Sequence, residues 1–165
     1  GFEKHVGRKT THRLTNSRNF AYREYKTEIV LVHPRTDGSV KYLVSRKRKR
    51  PAERLYGLHP NWYKYSDRTF KILATSGLTG ILIGLHRCHR IDIYGFHVAA
   101  QHGALYHFYN KNDKPANVQR DGTEWFIVKE LADNGFLHFK EPCILECHET
   151  PRKCKECQKK HVKPR

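Results

Sequence analysis

The stretch from Ala74 to Phe96 constrains the fold more than any other part of this chain. Thr75-Ser76-Gly77 leads into Leu78, Ile81, Leu82 and Leu85, whose spacing of three and four residues is that of one helical face. Directly afterwards Ile91-Asp92-Ile93-Tyr94-Gly95-Phe96 alternates apolar and polar residues before reaching glycine, as a short strand does. Turn, helix and strand in that order make half of a parallel βαβ crossover, so the expected class is α/β.

Glu28–Val32 and Val40–Val44 are β-branched runs predicted as strands, with His33-Pro34 and Asp37-Gly38 as the turn between them. A helix is expected between Asn61 and Lys71. Another is signalled by Asp121 with Glu124 three residues on, a capping-box pattern, followed by Trp125, Val128, Leu131 and Ala132 and stopped by Asn134-Gly135. Phe136–Phe139 then reads as a last short strand. From Glu141 onward apolar residues give way to Cys, Lys and Arg, which divides the chain into a domain over 1–140 and a basic Cys-rich tail over 141–165. At 165 residues and 38% hydrophobic content the chain can bury a core. Its longest apolar stretch, Leu78–Leu85, is broken by Thr79, Gly80 and Gly84 and falls far short of the roughly 20 residues of a membrane span. A chain that opens on Gly1 and contains no Met is read as a fragment of a longer protein.

A net charge of +16 raises the possibility of a nucleic-acid partner, because clustered cations release counterions from phosphates. The densest run, Arg46–Arg50, is followed by Pro51 and has no interleaved aromatic residues for base stacking, so it reads as a solvated basic loop and no nucleic acid is expected. The tail from Arg152 to Arg165 carries a second, separate basic excess.

Two places invite chemistry. Small residues at Thr75-Ser76-Gly77 before a helix suit an anion, since free N–H groups and the helix dipole point there, but Ser and Thr are equally ordinary N-caps. At Tyr106-His107-Phe108-Tyr109-Asn110 a histidine sits among aromatics, where burial favours the neutral ring and a facing phosphate favours the protonated one.

Four ordered segments together bear a resemblance that neither place carries alone. Val6-Gly7-Arg8-Lys9-Thr10-Thr11-His12, preceded by Gly1-Phe2-Glu3, resembles the end of the large sialylmotif of the eukaryotic sialyltransferases, glycosyltransferase family 29. Ala74-Thr75-Ser76-Gly77 through Leu85-His86-Arg87-Cys88 to Ile93-Tyr94-Gly95-Phe96 is similar to the small sialylmotif. His107-Phe108-Tyr109-Asn110 resembles the third motif, and Gln119 with Glu124 occupies the positions of the very small motif. Departures from the pattern are His5 for Asp, Arg8 for Ser, Ala74 for Pro, Asn110 for an acidic residue and Gln119 for His.

The resemblance implies a Rossmann-like, GT-A-type variant glycosyltransferase domain truncated on its N-terminal side, beginning inside the large motif. It implies inverting transfer of sialic acid from CMP-sialic acid to a glycan hydroxyl on a glycoprotein or glycolipid, in the lumen of the Golgi, behind a membrane anchor outside this chain. Thr75, Ser76, Gly77, Tyr94, Gly95 and Phe96 would bind the donor. His107, if protonated, would donate to the departing phosphate, whose growing charge must be stabilised. Gln119 takes the place of the general base, with Glu124 beside it in the motif. No metal or cofactor is required, in keeping with the lack of an Asp-x-Asp pair. Cys88 would pair with a cysteine upstream of Gly1. Of the other cysteines, Cys143, Cys147, Cys154 and Cys157 could form two disulfides, or Cys147, Cys154, Cys157 and His161 could ligate zinc, with Cys143 or His148 as substitutes. Two rivals remain at this stage: a catalytically degenerate sugar-nucleotide-binding homologue, because of Gln119, and a basic zinc-binding nucleic-acid module.

Overall fold

The computed structural model describes residues 7–20, 22–96, 112 and 118–161, with only the backbone of 118–121. The chain is mixed α/β with small parallel sheets, in two compact units, one ending at Gly80 and the other starting at Ile81.

In the first unit β1 (His12–Thr15), β2 (Ile29–Val32) and β3 (Leu55–Gly57) run parallel in that spatial order. The β-branched run of β2 makes it the middle strand, and a middle strand needs apolar residues on both faces. Val30 and Val32 point to one face and pack with Phe20, Leu55 and Leu43. Leu43 belongs to α1 (Asp37–Lys49), the crossover between β2 and β3, so β2, α1 and β3 form one parallel βαβ unit.

Val40–Val44 is therefore helical, not a strand. Three contacts outweigh the β propensity of its valines. The Thr36 hydroxyl caps the helix by accepting the Ser39 N–H at 3.2 Å. Tyr42 packs on Phe20, with ring centroids 4.9 Å apart. Leu43 meets β3 so closely that a Cβ on Gly57 would lie 2.3 Å from its Cδ2. Arg46–Arg50 is likewise not a loop: it forms the last turn and C-cap of α1, where positive charge offsets the helix dipole. Arg46 forks onto Glu53 at 2.7 and 2.8 Å, and Lys47 donates to the carbonyls of Pro51 and Glu53.

α2 (Pro60–Phe70) falls where a helix was expected, with proline in its first turn and Lys71 closing it at φ 55°. α3 (Ser76–Arg87) contributes its first residues to the first unit. They lie against the β1 side chain on the sheet face away from α1, since a Cβ at Gly80 would be 3.8 Å from Leu14 Cδ2. Leu14 and Leu31, on that face, are half-buried.

In the second unit the remainder of α3 leads to β4 (Asp92–Ile93), which pairs in parallel with β5 (His138–Phe139). Gly84 in α3 lets the helix approach Ile91, whose Cδ1 would lie 3.1 Å from a Cβ there. Between the two strands α4 (Val118–Asp133) buries Trp125 and Val128 and stops at Gly135, φ +76°. The expected helix is present but starts at Val118, so Asp121 lies inside its first turn.

The tail folds as α5 (Ile144–Glu149) and α6 (Pro151–His161). Of the two cysteine arrangements left open by the sequence, the disulfides form: Cys143–Cys157 and Cys147–Cys154. Among the described residues no group of His, Cys, Asp or Glu is arranged to hold a metal, and no helix is long and apolar enough to cross a membrane.

Candidate functional site

The start of α3 is built by three segments of the first unit. Thr75 caps it: its Oγ1 accepts the Leu78 N–H at 3.3 Å, and its carbonyl accepts both the N–H and the hydroxyl of Thr79, at 3.0 and 2.8 Å. The capping reading of this turn is therefore correct. It also leaves the N–H groups of Ser76 and Gly77 without a partner among the described residues, at the positive end of the helix dipole. Such a pair is suited to an anion.

His33 and Arg35, read from sequence only as part of a turn, complete the arrangement. β2 ends at Val32, so the next residue lies at the carboxyl edge of the parallel sheet, where open α/β sheets bind their ligands. His33 is 4% exposed, and its Nε2 is 2.7 Å from Ser76 Oγ. Arg35 donates from Nη2 to the Ala74 carbonyl at 2.5 Å and lies over the Tyr63 ring, 5.7 Å from its centroid. Its Nε is buried with no hydrogen-bond partner among the described residues. The turn before α3 is thus held from behind by a neutral imidazole and a guanidinium. The only advance signal was a Pro at position 34, which marks the end of the strand.

Burial first, and the Arg35 charge second, push the His33 imidazole down to about 4. The unfolded chain takes up this proton near the ordinary histidine value, so it binds more protons than the folded chain between the two. The contribution of His33 to stability is complete above pH ~6.5 and is lost as the pH falls toward 4. Urea midpoints of the parent should drop across this window, and those of His33→Asn should drop less. Parallel losses in both proteins would contradict this placement of His33.

The other expected site residues belong to the second unit or lie outside the described residues. Tyr94 is partly exposed and follows β4, Gly95 takes φ +73°, and Phe96 is half-buried. Glu124 is buried on α4, while Gln119 is placed by its backbone in the first turn of that helix. Cys88, just beyond α3, is an exposed free thiol. His107 lies outside the described residues. What the structure brings together directly is Thr75, Ser76 and Gly77 with His33 and Arg35.

Comparison with known proteins gives a consistent result. The sequence profile of glycosyltransferase family 29 (sialyltransferase) matches residues 44–136, a span that includes α3, β4 and α4. The chain is 26% identical over 140 residues to CMP-N-acetylneuraminate-beta-galactosamide-alpha-2,3-sialyltransferase 1 of Sus scrofa, covering 74% of this chain and 40% of that protein. It is 26% identical over 155 residues to the Mus musculus protein of the same name, covering 80% of this chain and 46% of that one. The chain thus spans less than half the length of these relatives. No solved structure matches it. With more than half of its length inside the family profile, the chain belongs to glycosyltransferase family 29, the sialyltransferases.

Proposed function

We propose that this chain is part of the catalytic region of a sialyltransferase that transfers sialic acid from CMP-sialic acid to a glycan hydroxyl with inversion. The observation that carries the proposal is the start of α3, where the two unpartnered N–H groups of Ser76 and Gly77 coincide with a Ser76 hydroxyl fixed by His33. In the reaction, negative charge grows on the phosphate of CMP as the bond to the anomeric carbon breaks, and donors already in place stabilise it without reorganising. Thr75, Ser76 and Gly77 would act there, and Tyr94, Gly95 and Phe96 are assigned to donor binding by their match to the small sialylmotif. The parallel three-stranded sheet and its βαβ unit support a Rossmann-like, GT-A-type variant arrangement.

His107 is assigned to the departing phosphate as a protonated donor. Its interaction strengthens as charge develops, so His107→Ala in the full-length protein should lower kcat for CMP-sialic acid more than it weakens CMP binding. Unchanged turnover would remove His107 from the mechanism. The acceptor is a glycan hydroxyl, and no metal or cofactor takes part. The two tail disulfides support an oxidising compartment, and the Golgi lumen is the proposed location. Cys88, exposed and unpaired here, is assigned a disulfide partner outside this chain.

One observation favours a second reading. Gln119 stands where the family motif has its histidine, and an amide cannot hold the proton of an acceptor hydroxyl. A homologue that binds CMP but does not turn the donor over would account for that residue.

A further inference from the structure

The tail lies beyond the family profile and supplies no group to the proposed transfer, yet it is held in a defined form. Two disulfides tie α5 to α6, and Cys143, Cys147 and Cys154 are buried between them. His148 of α5 stacks on Trp125 of α4, centroids 3.9 Å apart and planes within 3°, so the hairpin is fixed to the helix that carries Gln119 and Glu124.

The outer side of α6 is cationic. Arg152 reaches Glu156 at 3.7 Å, and Lys153 pairs with Glu149. Lys155, Lys159 and Lys160 are exposed and have no acidic partner among the described residues. Arg152, Lys155 and Lys159 follow one another at three and four residues, so they share a face and span about 10 Å along the axis. Cys154, the buried anchor, points away from that face. In the other basic run Arg46 and Lys47 are engaged by Glu53 and the carbonyls beside it, while Arg48 and Lys49 are exposed at the end of α1 and supply a charge-matched control.

We propose that the Lys155/Lys159 face of α6 is a docking surface for an acidic glycan, a chain bearing carboxylate or sulfate groups. Charge complementarity calls for an extended polyanion. A lipid surface fits poorly, since α6 has no large apolar residue to insert between acyl chains. A nucleic acid fits poorly too, because α6 has no Phe, Tyr or Trp on which a base can stack. The choice of a glycan among polyanions rests on the sialyltransferase reading, in which the acceptor or product is itself a glycan. The disulfides hold the lysine-bearing backbone in its helical form before the partner arrives, which lowers the ordering cost of binding.

The test uses the full-length protein and four probes: a sulfated heparin oligosaccharide, a sialic acid oligosaccharide, a single-stranded oligonucleotide and vesicles of anionic phospholipid, each titrated at physiological salt. Lys155→Glu/Lys159→Glu is compared with Arg48→Glu/Lys49→Glu, which changes the net charge equally at the end of α1. Lys155→Gln/Lys159→Gln is the milder variant should reversal disturb the hairpin. The tail-reversed protein should bind the oligosaccharides about tenfold more weakly or worse, with the α1 control much less affected and CMP binding equal in all. Equal loss in the tail and control variants, or no loss in either tail variant, would overturn the proposal. So would tighter, equally tail-dependent binding of the oligonucleotide or the vesicles. If no CMP binds while tail-dependent oligosaccharide binding persists, the docking surface stands and the sialyltransferase reading falls.

Discussion

Gln119→His is expected to raise turnover of CMP-sialic acid by the full-length protein about 10²- to 10⁴-fold, the usual contribution of a general base. Attack on the anomeric carbon requires the acceptor hydroxyl to lose its proton as the bond forms. A neutral amide can orient that hydroxyl by hydrogen bonding but cannot take its proton. Position 119 lies in the first turn of α4, and Glu124, further along the same helix, is buried. Glu124 is therefore better suited to brace the helix than to exchange protons with an acceptor. His97 and His102, both outside the described residues, are histidines that could act in place of Gln119. A parent protein already as active as Gln119→His, and insensitive to changes at His97 and His102, would contradict this assignment. Two inert proteins that still bind CMP would establish the degenerate homologue instead.

The second large effect is on stability. Glu28, just before β2, is fully buried, and its carboxylate takes a two-pronged contact from Arg13 of β1 at 2.7 and 3.0 Å, plus the Tyr25 N–H at 3.2 Å. Arg13 also reaches Glu24 at 2.8 Å. The pair joins β1 to β2, the strand that delivers His33 to the start of α3. Glu28→Gln leaves a partly buried guanidinium without its main counter-charge, and breaking a buried pair in this way costs about 3 to 5 kcal/mol, or roughly 10 °C for a chain of this size. The Arg13 guanidinium holds the Glu28 carboxyl below the usual carboxylate range. Its contribution is therefore present at neutral pH and is lost only as the pH falls below the ordinary glutamate value and through the lower folded one. An unchanged melting temperature for Glu28→Gln would show that the pair does not hold the two strands together.

How much of this was legible in the sequence depended on what stabilises each element. α3 was legible because its own residues carry the apolar stripe, from Leu78 to Leu85, and α4 because Trp125 and Val128 do the same with Gly135 as the stop. β2 was legible from four consecutive apolar residues. α1 was not: Val40 and Val44 favour a strand locally, and the deciding contacts, Leu43 against Gly57 and Tyr42 on Phe20, come from distant parts of the chain. β1 and β3, at four and three residues, are too short to show any period and exist because β2 pairs with them. α5 and α6 were hidden for a different reason: disulfides, rather than an apolar face, hold them together.

The candidate site divides in the same way. Thr75, Ser76 and Gly77 were visible because an anion-binding turn needs small residues and a helix directly after them. His33 lies 43 positions away from Ser76, and only the parallel register of β2 brings the two together. Glu28 was seen as the beginning of a strand, and its charge became meaningful only once Arg13 lay beside it.

The most direct test of the account is a titration with CMP of the full-length parent and of Gly77→Val. Binding to the parent with marked weakening in the variant is the expected result, because a branched side chain at Gly77 obstructs the phosphate from reaching the free N–H groups at the start of α3. Binding as tight in Gly77→Val as in the parent, or no binding of CMP by the parent, would contradict it.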